Sequence, residues 1–195
     1  MKMDATEVAW RQTFEAVAAS RRSVYFFAST PVPRDVIEWA IRMATLAPNH
    51  YKTRPWGFHV FDGEGREALA AAFEQGAASL GQDPRKARSK VYPAPTTIVV
   101  TSVSDPAHPK AMPFEDQLAT AAAIENLLLA FSSAGVGTIW GTGRLIQTDS
   151  VRALVGMRSP EERILAAITV GYPDPERPLP ERPEEDPSLV TRWHG

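Results

Sequence analysis

The stretch FEDQLATAAAIENLLLAFSSAGVGTIWGTG, Phe114 to Gly143, decides the fold. Phe114 to Ala134 reads as one long helix that is apolar almost all round, so it must be covered on all sides, inside a core or under another subunit. Its most apolar part, Leu118 to Phe131, is too short for a membrane span and is interrupted by Glu125 and Asn126. After Gly135 and Gly137 come a short strand, Thr138-Ile139-Trp140, and a glycine-rich turn, Gly141-Thr142-Gly143.

Further strands flank this centre. TTIVVTSV, Thr96 to Val103, is β-branched and apolar enough to be central in a sheet. WGFHVF, Trp56 to Phe61, alternates as a strand does, and RILAAITVGY, from Arg163, is the last clear one. Helices are predicted over Asp4 to Ala19 with Asp4 as cap, and from Pro33 to a stop at Pro48, with Val36, Ile37, Ala40, Ile41 and Ala44 on one face. Others are predicted over Glu64 to Leu80, over a short basic run from Pro84, and over Thr148 to Val155. Strands this few and this irregularly spaced do not make a doubly wound nucleotide fold. The pattern predicts an α+β protein, an α/β sandwich of helices around a small sheet.

The chain has 195 residues, 44% of them hydrophobic, which suits a single domain over 1–195 with enough core to need no staples. There are no cysteines, so structural disulfides, thiolate metal sites and cysteine nucleophiles are excluded together. The start, MKMDATEVAW, has no apolar run of signal-peptide length, so the expected location is the cytoplasm. Formal charge is −2 with acids and bases interspersed, which argues against nucleic acid as a partner. The final 24 residues, from Tyr172, hold six prolines yet finish SLVTRW before His194, so they are either disordered or an extended arm laid on another surface.

Three stretches can carry chemistry. In SRRSVYFF, Ser20 to Phe27, the guanidinium forks of Arg21 and Arg22 and the Ser23 hydroxyl match a phosphate dianion; equally, arginines at a helix end complement its dipole. In LAPNHYKTRPWGFHVF, Leu46 to Phe61, Trp56 is expected in the core, whereas His50 and Lys52 lie in a loop where polar side chains reach outwards. In GTIWGTGRL, Gly141 and Gly143 either let backbone N–H groups approach a flat ligand or simply make a tight turn. Gly135-x-Gly137 is not a dinucleotide fingerprint, since it precedes a strand and lacks the third glycine.

Other chemistries find no support. The four histidines, at 50, 59, 108 and 194, have no metal-ligand spacing, so no metal is expected. Glu115 and Asp116 read as dipole complements at a helix start. Asp105 to Phe114, with three prolines, reads as a lid or rim loop. With no side-chain catalyst evident, a cofactor is expected to carry the chemistry.

Taken in order, these stretches resemble the nitroreductase family of flavoproteins. The matching residues are Arg21-Arg22-Ser23, APNHYKTRPW from Ala47 to Trp56, GVGTIWGTG from Gly135 to Gly143, and VGYP from Val170 to Pro173. The resemblance implies a central, mainly antiparallel sheet flanked by helices, and an intertwined homodimer with FMN at the subunit interface and a C-terminal arm, 172–195, wrapping the partner. It implies that Arg21 and Ser23 hold the FMN phosphate or ribityl chain with Arg22 beside them, and that Pro48, Asn49 and His50 come from the partner subunit. Trp140, Gly141 and Thr142 then line the isoalloxazine. Lys52 and Arg54 stand where many members have Asn and Gln, and Tyr25 where many have Lys or Arg. Lys52 or Arg54 then supplies positive charge near the ring, and Arg177 and Arg182 are both candidates for a further phosphate contact.

The implied activity is FMN-dependent oxidoreduction. NADH or NADPH reduces the flavin at N5, and a nitroaromatic, quinone or other electrophilic acceptor then takes the electrons in a ping-pong cycle, with no catalytic side chain. The same fold also admits dehalogenation and enal or semialdehyde reduction, or a flavin-binding sensor or storage role.

Overall fold

Helix α1 (Ala5–Ser20) starts on Asp4, whose side chain accepts from the Glu7 N–H at 2.8 Å while the Glu7 carboxylate accepts from the Asp4 N–H at 3.1 Å. This reciprocal capping satisfies two donors that a helix start leaves orphaned. The computed structural model describes residues 4–195; Met1 to Met3, the first part of the N-terminus read above as free of a signal, lie outside the described residues.

The remaining elements follow the predicted order, with most ends shifted by a residue or two and the second helix ending at Ala44, short of the expected stop at Pro48. They are α2 (Arg34–Ala44), β1 (Trp56–Asp62), α3 (Gly65–Ser79), α4 (Pro84–Ser89), β2 (Thr96–Ser102), α5 (Pro113–Ser133), β3 (Gly137–Gly141), α6 (Asp149–Leu154) and β4 (Arg163–Gly171). The four strands form one sheet in the order β1-β2-β4-β3, every pair antiparallel.

β2 is buried along its whole length, and its alternation supplies two cores. Ile98 and Val100 face α2 and α5, where Ile37, Ala40, Ile124, Leu127 and Phe131 are buried. Val99 faces the other way, onto Leu69, Phe73, Leu145 and Val151. In β4, Ala166, Ile168 and Val170 share the first core, whereas Ile164 belongs to the second. Residues two apart on a strand should share a face, so the swap needs an irregularity. It lies at Leu165, where Val100 pairs with Ala166 but Thr101 with Ile164. The extra residue turns the end of β4 over.

Two expectations require adjustment. Of the two covers expected for α5, this chain's own core supplies only part: α1, α2 and the sheet pack on the helix, while Phe114 and Leu118 are 68% and 55% exposed. Trp56 is half-buried against the first core rather than inside it. The C-terminal segment is extended beyond Tyr172, with one 3₁₀ turn at Pro187–Leu189, and its first part is tied to its own chain: the Asp174 N–H donates to the Phe26 carbonyl at 3.0 Å, Arg22 Nε to the Pro180 carbonyl at 3.1 Å and Arg182 to the Ala18 carbonyl at 2.9 Å.

Candidate functional site

The arginine corner sits where α1 ends against the C-terminal end of α5. Ser20 and Ser132 hydroxyls lie 3.1 Å apart, and the chain then runs beside β3, Ser23 bridging Thr138 and the Val24 N–H donating to the Thr138 carbonyl at 3.0 Å. The two arginines separate in role. Arg22 donates to the carbonyls of Ala19, Arg21 and Pro180, so it clamps the helix end to the C-terminal segment. The side chains of Arg21 and Ser23 make no hydrogen bond or ion pair among the described residues, and Arg21 lines a cavity of about 150 Å³ with Ser132, Gly137, Thr138 and Leu179. A guanidinium with its donors unengaged at a small cavity suits an anion.

Glycines let these segments approach. Gly135, at φ 70°, stops α5, and Gly137 lies so near Val24 that an added Cβ would come 2.6 Å from its Cγ2. The Gly-x-Gly pair thus serves helix termination and packing. Four residues on, Gly141-Thr142-Gly143 is extended backbone rather than the tight turn expected: neither glycine has positive φ, and the chain runs into a 3₁₀ turn at Arg144–Gln147. Trp140 Nε1 donates to the Leu165 carbonyl at 3.1 Å, so the irregularity in β4 anchors the indole. An added Cβ at Gly141 would meet the Ala167 carbonyl at 3.1 Å, which keeps this backbone close to the sheet edge. Thr142 is exposed.

The loop from Pro48 to Arg54 is at the other end of α5. Tyr51, Lys52 and Arg54 all have left-handed backbones, at φ 49°, 59° and 49°, a concentration of strain that tertiary contacts must hold. They do so at four points. The Asn49 side-chain Oδ1 accepts from the Arg54 N–H at 3.0 Å, His50 Nδ1 lies 2.5 Å from Glu115, the Thr53 hydroxyl donates to Asp116 at 2.6 Å, and the Lys110 ammonium donates to the Tyr51 hydroxyl at 3.1 Å. Pro48, His50 and Lys52 are exposed.

Arg21, Ser23 and the Trp140–Thr142 segment are therefore gathered along the β3 edge, whereas Pro48, Asn49, His50 and Lys52 are not with them. The 21-residue α5 separates the arginine corner from the loop by about 30 Å. The two groups of candidate residues thus lie toward opposite ends of α5. Of the remaining candidates, Arg182 reaches the end of α1, close to Arg21, and Arg177 lies 5.0 Å from the Phe26 ring centroid; Tyr25 and Arg54 are exposed.

Sequence reasoning missed Glu115 and Asp116 as site residues. Asp116 is 2% exposed and also accepts from the Ser104 hydroxyl at 2.5 Å, so it fastens the strained loop and the 104–112 loop to the start of α5. A carboxylate at a helix start is common enough that its pattern alone signals only the dipole. Among the described residues, no group of three or more His, Asp or Glu converges as metal ligands.

Residues 18–172 match the model of the nitroreductase family. The chain belongs to that family. Among relatives of this nitroreductase-family chain, the Escherichia coli K12 protein "Putative NAD(P)H nitroreductase YdjA" is 31% identical over 157 residues, 79% of this chain and 85% of that one. Iodotyrosine deiodinase 1 of Rattus norvegicus is 28% identical over 201 residues, 92% of this chain and 70% of the relative. Among solved structures, a nitroreductase-like family protein from Bacillus cereus superposes with a TM-score of 0.79 at 26% identity, covering all of this chain and 98% of that one. The mixed fold with its antiparallel sheet is thus that of the family.

Proposed function

We propose that this chain is an FMN-dependent oxidoreductase that uses NADH or NADPH to reduce nitroaromatic, quinone or related electrophilic acceptors, working as a cytoplasmic homodimer. The observation that carries the reading is the donor set at the β3 edge. Arg21 is unengaged at a small cavity, Ser23 is unengaged where it bridges Thr138 in β3, and that strand runs on to Gly141 and the exposed Thr142, which fits a ligand with a phosphate at one end and a flat ring system at the other.

FMN, when bound, supplies two-electron chemistry at its N5 atom between nicotinamide and acceptor. The chain's own residues position and stabilise. Arg21 and Ser23 hold the phosphate or ribityl chain, with Arg182 as the nearer of the two C-terminal arginines. Trp140, fixed by its bond to Leu165, sets the path of Gly141 and Thr142 along the ring. Lys52, exposed in the second half-site, brings positive charge toward the ring from the partner chain, with Pro48, Asn49 and His50 beside it. Donors and cations so placed stabilise the anionic reduced ring. With one face serving both substrates in turn, kinetics are ping-pong.

The two half-sites meet only if two chains pair. A groove of about 710 Å³ between α1, α2 and α5, walled by Trp10, Phe14, Trp39, Met43, Leu46 and Leu129, supplies an apolar surface for that pairing.

The test is an absorption spectrum of the purified protein, repeated anaerobically after NADPH and then NADH. A flavin spectrum that bleaches with either is expected; a protein that neither carries nor takes up FMN overturns the reading. The relative named as a deiodinase favours a second reaction at the same site, reductive dehalogenation. Iodide release from 3-iodotyrosine, measured beside nitroaromatic turnover, separates the two.

A further inference from the structure

Three exposed cations, Lys52, Arg54 and Lys110, share one part of the surface. Lys52 and Arg54 in one loop, and Lys110 in the loop that packs on it, form no ion pair among the described residues. Glu115, Asp116 and Asp105 lie in the same region, but none is within ion-pair distance of these three cations, and each bonds to another group. Glu115 holds His50 at 2.5 Å, Asp116 takes the Thr53 and Ser104 hydroxyls at 2.6 and 2.5 Å, and Asp105 accepts from the Ala107 N–H at 2.9 Å.

Lys110 is also held in place. Its ammonium lies 4.2 Å from the centroid of the Tyr51 ring and donates to the Tyr51 hydroxyl at 3.1 Å, and the His50 ring stands 4.2 Å from the same Tyr51 ring, centroid to centroid. One of its three donors is engaged, and two remain without a protein acceptor among the described residues. His108, whose ring is 6.4 Å from that of Tyr51, completes an aromatic border. A lysine fixed beforehand loses little rotamer freedom on binding, and an incoming carboxylate takes the place of the counter-ion the chain does not supply.

We infer that the rim formed by residues 50–54 and 105–112 selects aromatic electron acceptors carrying a carboxylate or similar anionic group, with Lys110 as the specificity-determining residue. The inference rests on the reading that loop 48–54 borders the flavin. Neutral acceptors reach the same ring but find no partner for the fixed ammonium.

Benzoate and benzamide share a shape and accept no electrons, so their Kd values, measured by calorimetry on the FMN-loaded protein, isolate the charge. Benzoate is expected to bind about tenfold more tightly at low ionic strength. The ratio shrinks in about 0.5 M salt, is lost in Lys110→Met and is kept in Lys110→Arg. Equal Kd values, undetectable benzoate binding, or a ratio unchanged in Lys110→Met overturns the inference. The dinucleotide is a second source of negative charge, so NADPH affinity is measured by stopped-flow reduction of the same variants. A Lys110→Met variant that weakens NADPH while sparing the benzoate ratio assigns the cation to the dinucleotide and refutes acceptor selection. Should Lys110→Met fail to fold, Lys110→Gln and the salt series on the unaltered protein decide. A protein that takes up no FMN brings down the flavin reading itself, whereas one that loads FMN and binds both probes alike brings down only the selectivity.

Discussion

Asp116 shows how one buried carboxylate sets the position of a strained loop. Its two oxygens each accept from a hydroxyl, Thr53 and Ser104, and its depth in the protein makes those bonds stronger than at the surface. Asp116→Ala leaves both hydroxyls without their acceptor and is expected to cost about 2–4 kcal/mol in chemical denaturation. Asp116→Asn, which keeps one acceptor oxygen, should cost less. Equal stabilities for Asp116→Ala and the unaltered chain would remove the loop-fastening role. His59 in β1 gives a pH signature instead. Burial pushes its pKa below the usual 6.5, with its Nε2 3.3 Å from the Thr101 hydroxyl. The unfolded chain then takes up the proton first as pH falls, so stability is expected to decline from about pH 6.5 until the lowered folded pKa is passed. Urea midpoints measured across this window, compared with those of His59→Gln, isolate the contribution: the variant's curve is flatter.

At the scale of elements, the join between α5 and β3 governs the first half-site. An Ala Cβ at position 137 would stand 2.6 Å from Val24 Cγ2 and 2.9 Å from Val24 Cβ, and a β-branched side chain beside a bridged backbone has little room to yield. Gly137→Ala is expected to cost about 1–3 kcal/mol and to reduce FMN uptake, since moving Val24 moves Ser23 and Arg21. Gly135→Ala meets nothing within 4 Å and pays only for its left-handed backbone, about 1 kcal/mol, with FMN uptake intact. Denaturation curves and flavin absorbance on both variants check the contrast. These glycines also mark what a sequence discloses. Asp4, Pro33, Pro84 and Gly135 announced element ends because capping and turn chemistry are local. The irregularity at Leu165, the burial of Asp116 and the left-handed Tyr51, Lys52 and Arg54 were not legible, because each is imposed by a partner distant in sequence. The gathering of Arg21 and Ser23 with Trp140–Thr142 became readable only through family resemblance, since pairing Ser23 with Thr138 joins segments more than a hundred residues apart.

At the scale of the whole molecule, the proposed function ties flavin binding to assembly, since it draws on two groups of residues that one chain keeps apart. Trp10 and Phe14, 75% and 66% exposed on α1, stand at the apolar groove beside α2 and α5, too much uncovered aromatic surface for a free helix. Beyond Arg182 the C-terminal segment makes no hydrogen bond to an earlier part of its chain among the described residues, and its apolar residues Leu189, Val190 and Trp193 are open to solvent. Under the proposed function, a second copy of the chain covers both surfaces. Phe14→Glu places a charge in the groove, where burial without a partner is unfavourable. It is therefore expected to give a monomer by sedimentation velocity and, in the same preparation, protein that no longer retains FMN, although helix content stays the same. Removal of residues 183–195 should weaken association while leaving the ties at Pro180 and Arg182 in place. The order of effects matters: if flavin sits between chains, FMN content follows the fraction of dimer across a dilution series for both variants. A Phe14→Glu monomer that holds FMN as firmly as the unaltered protein would mean that Arg21, Ser23 and the β3 edge suffice alone, and that the loop at 48–54 serves another purpose.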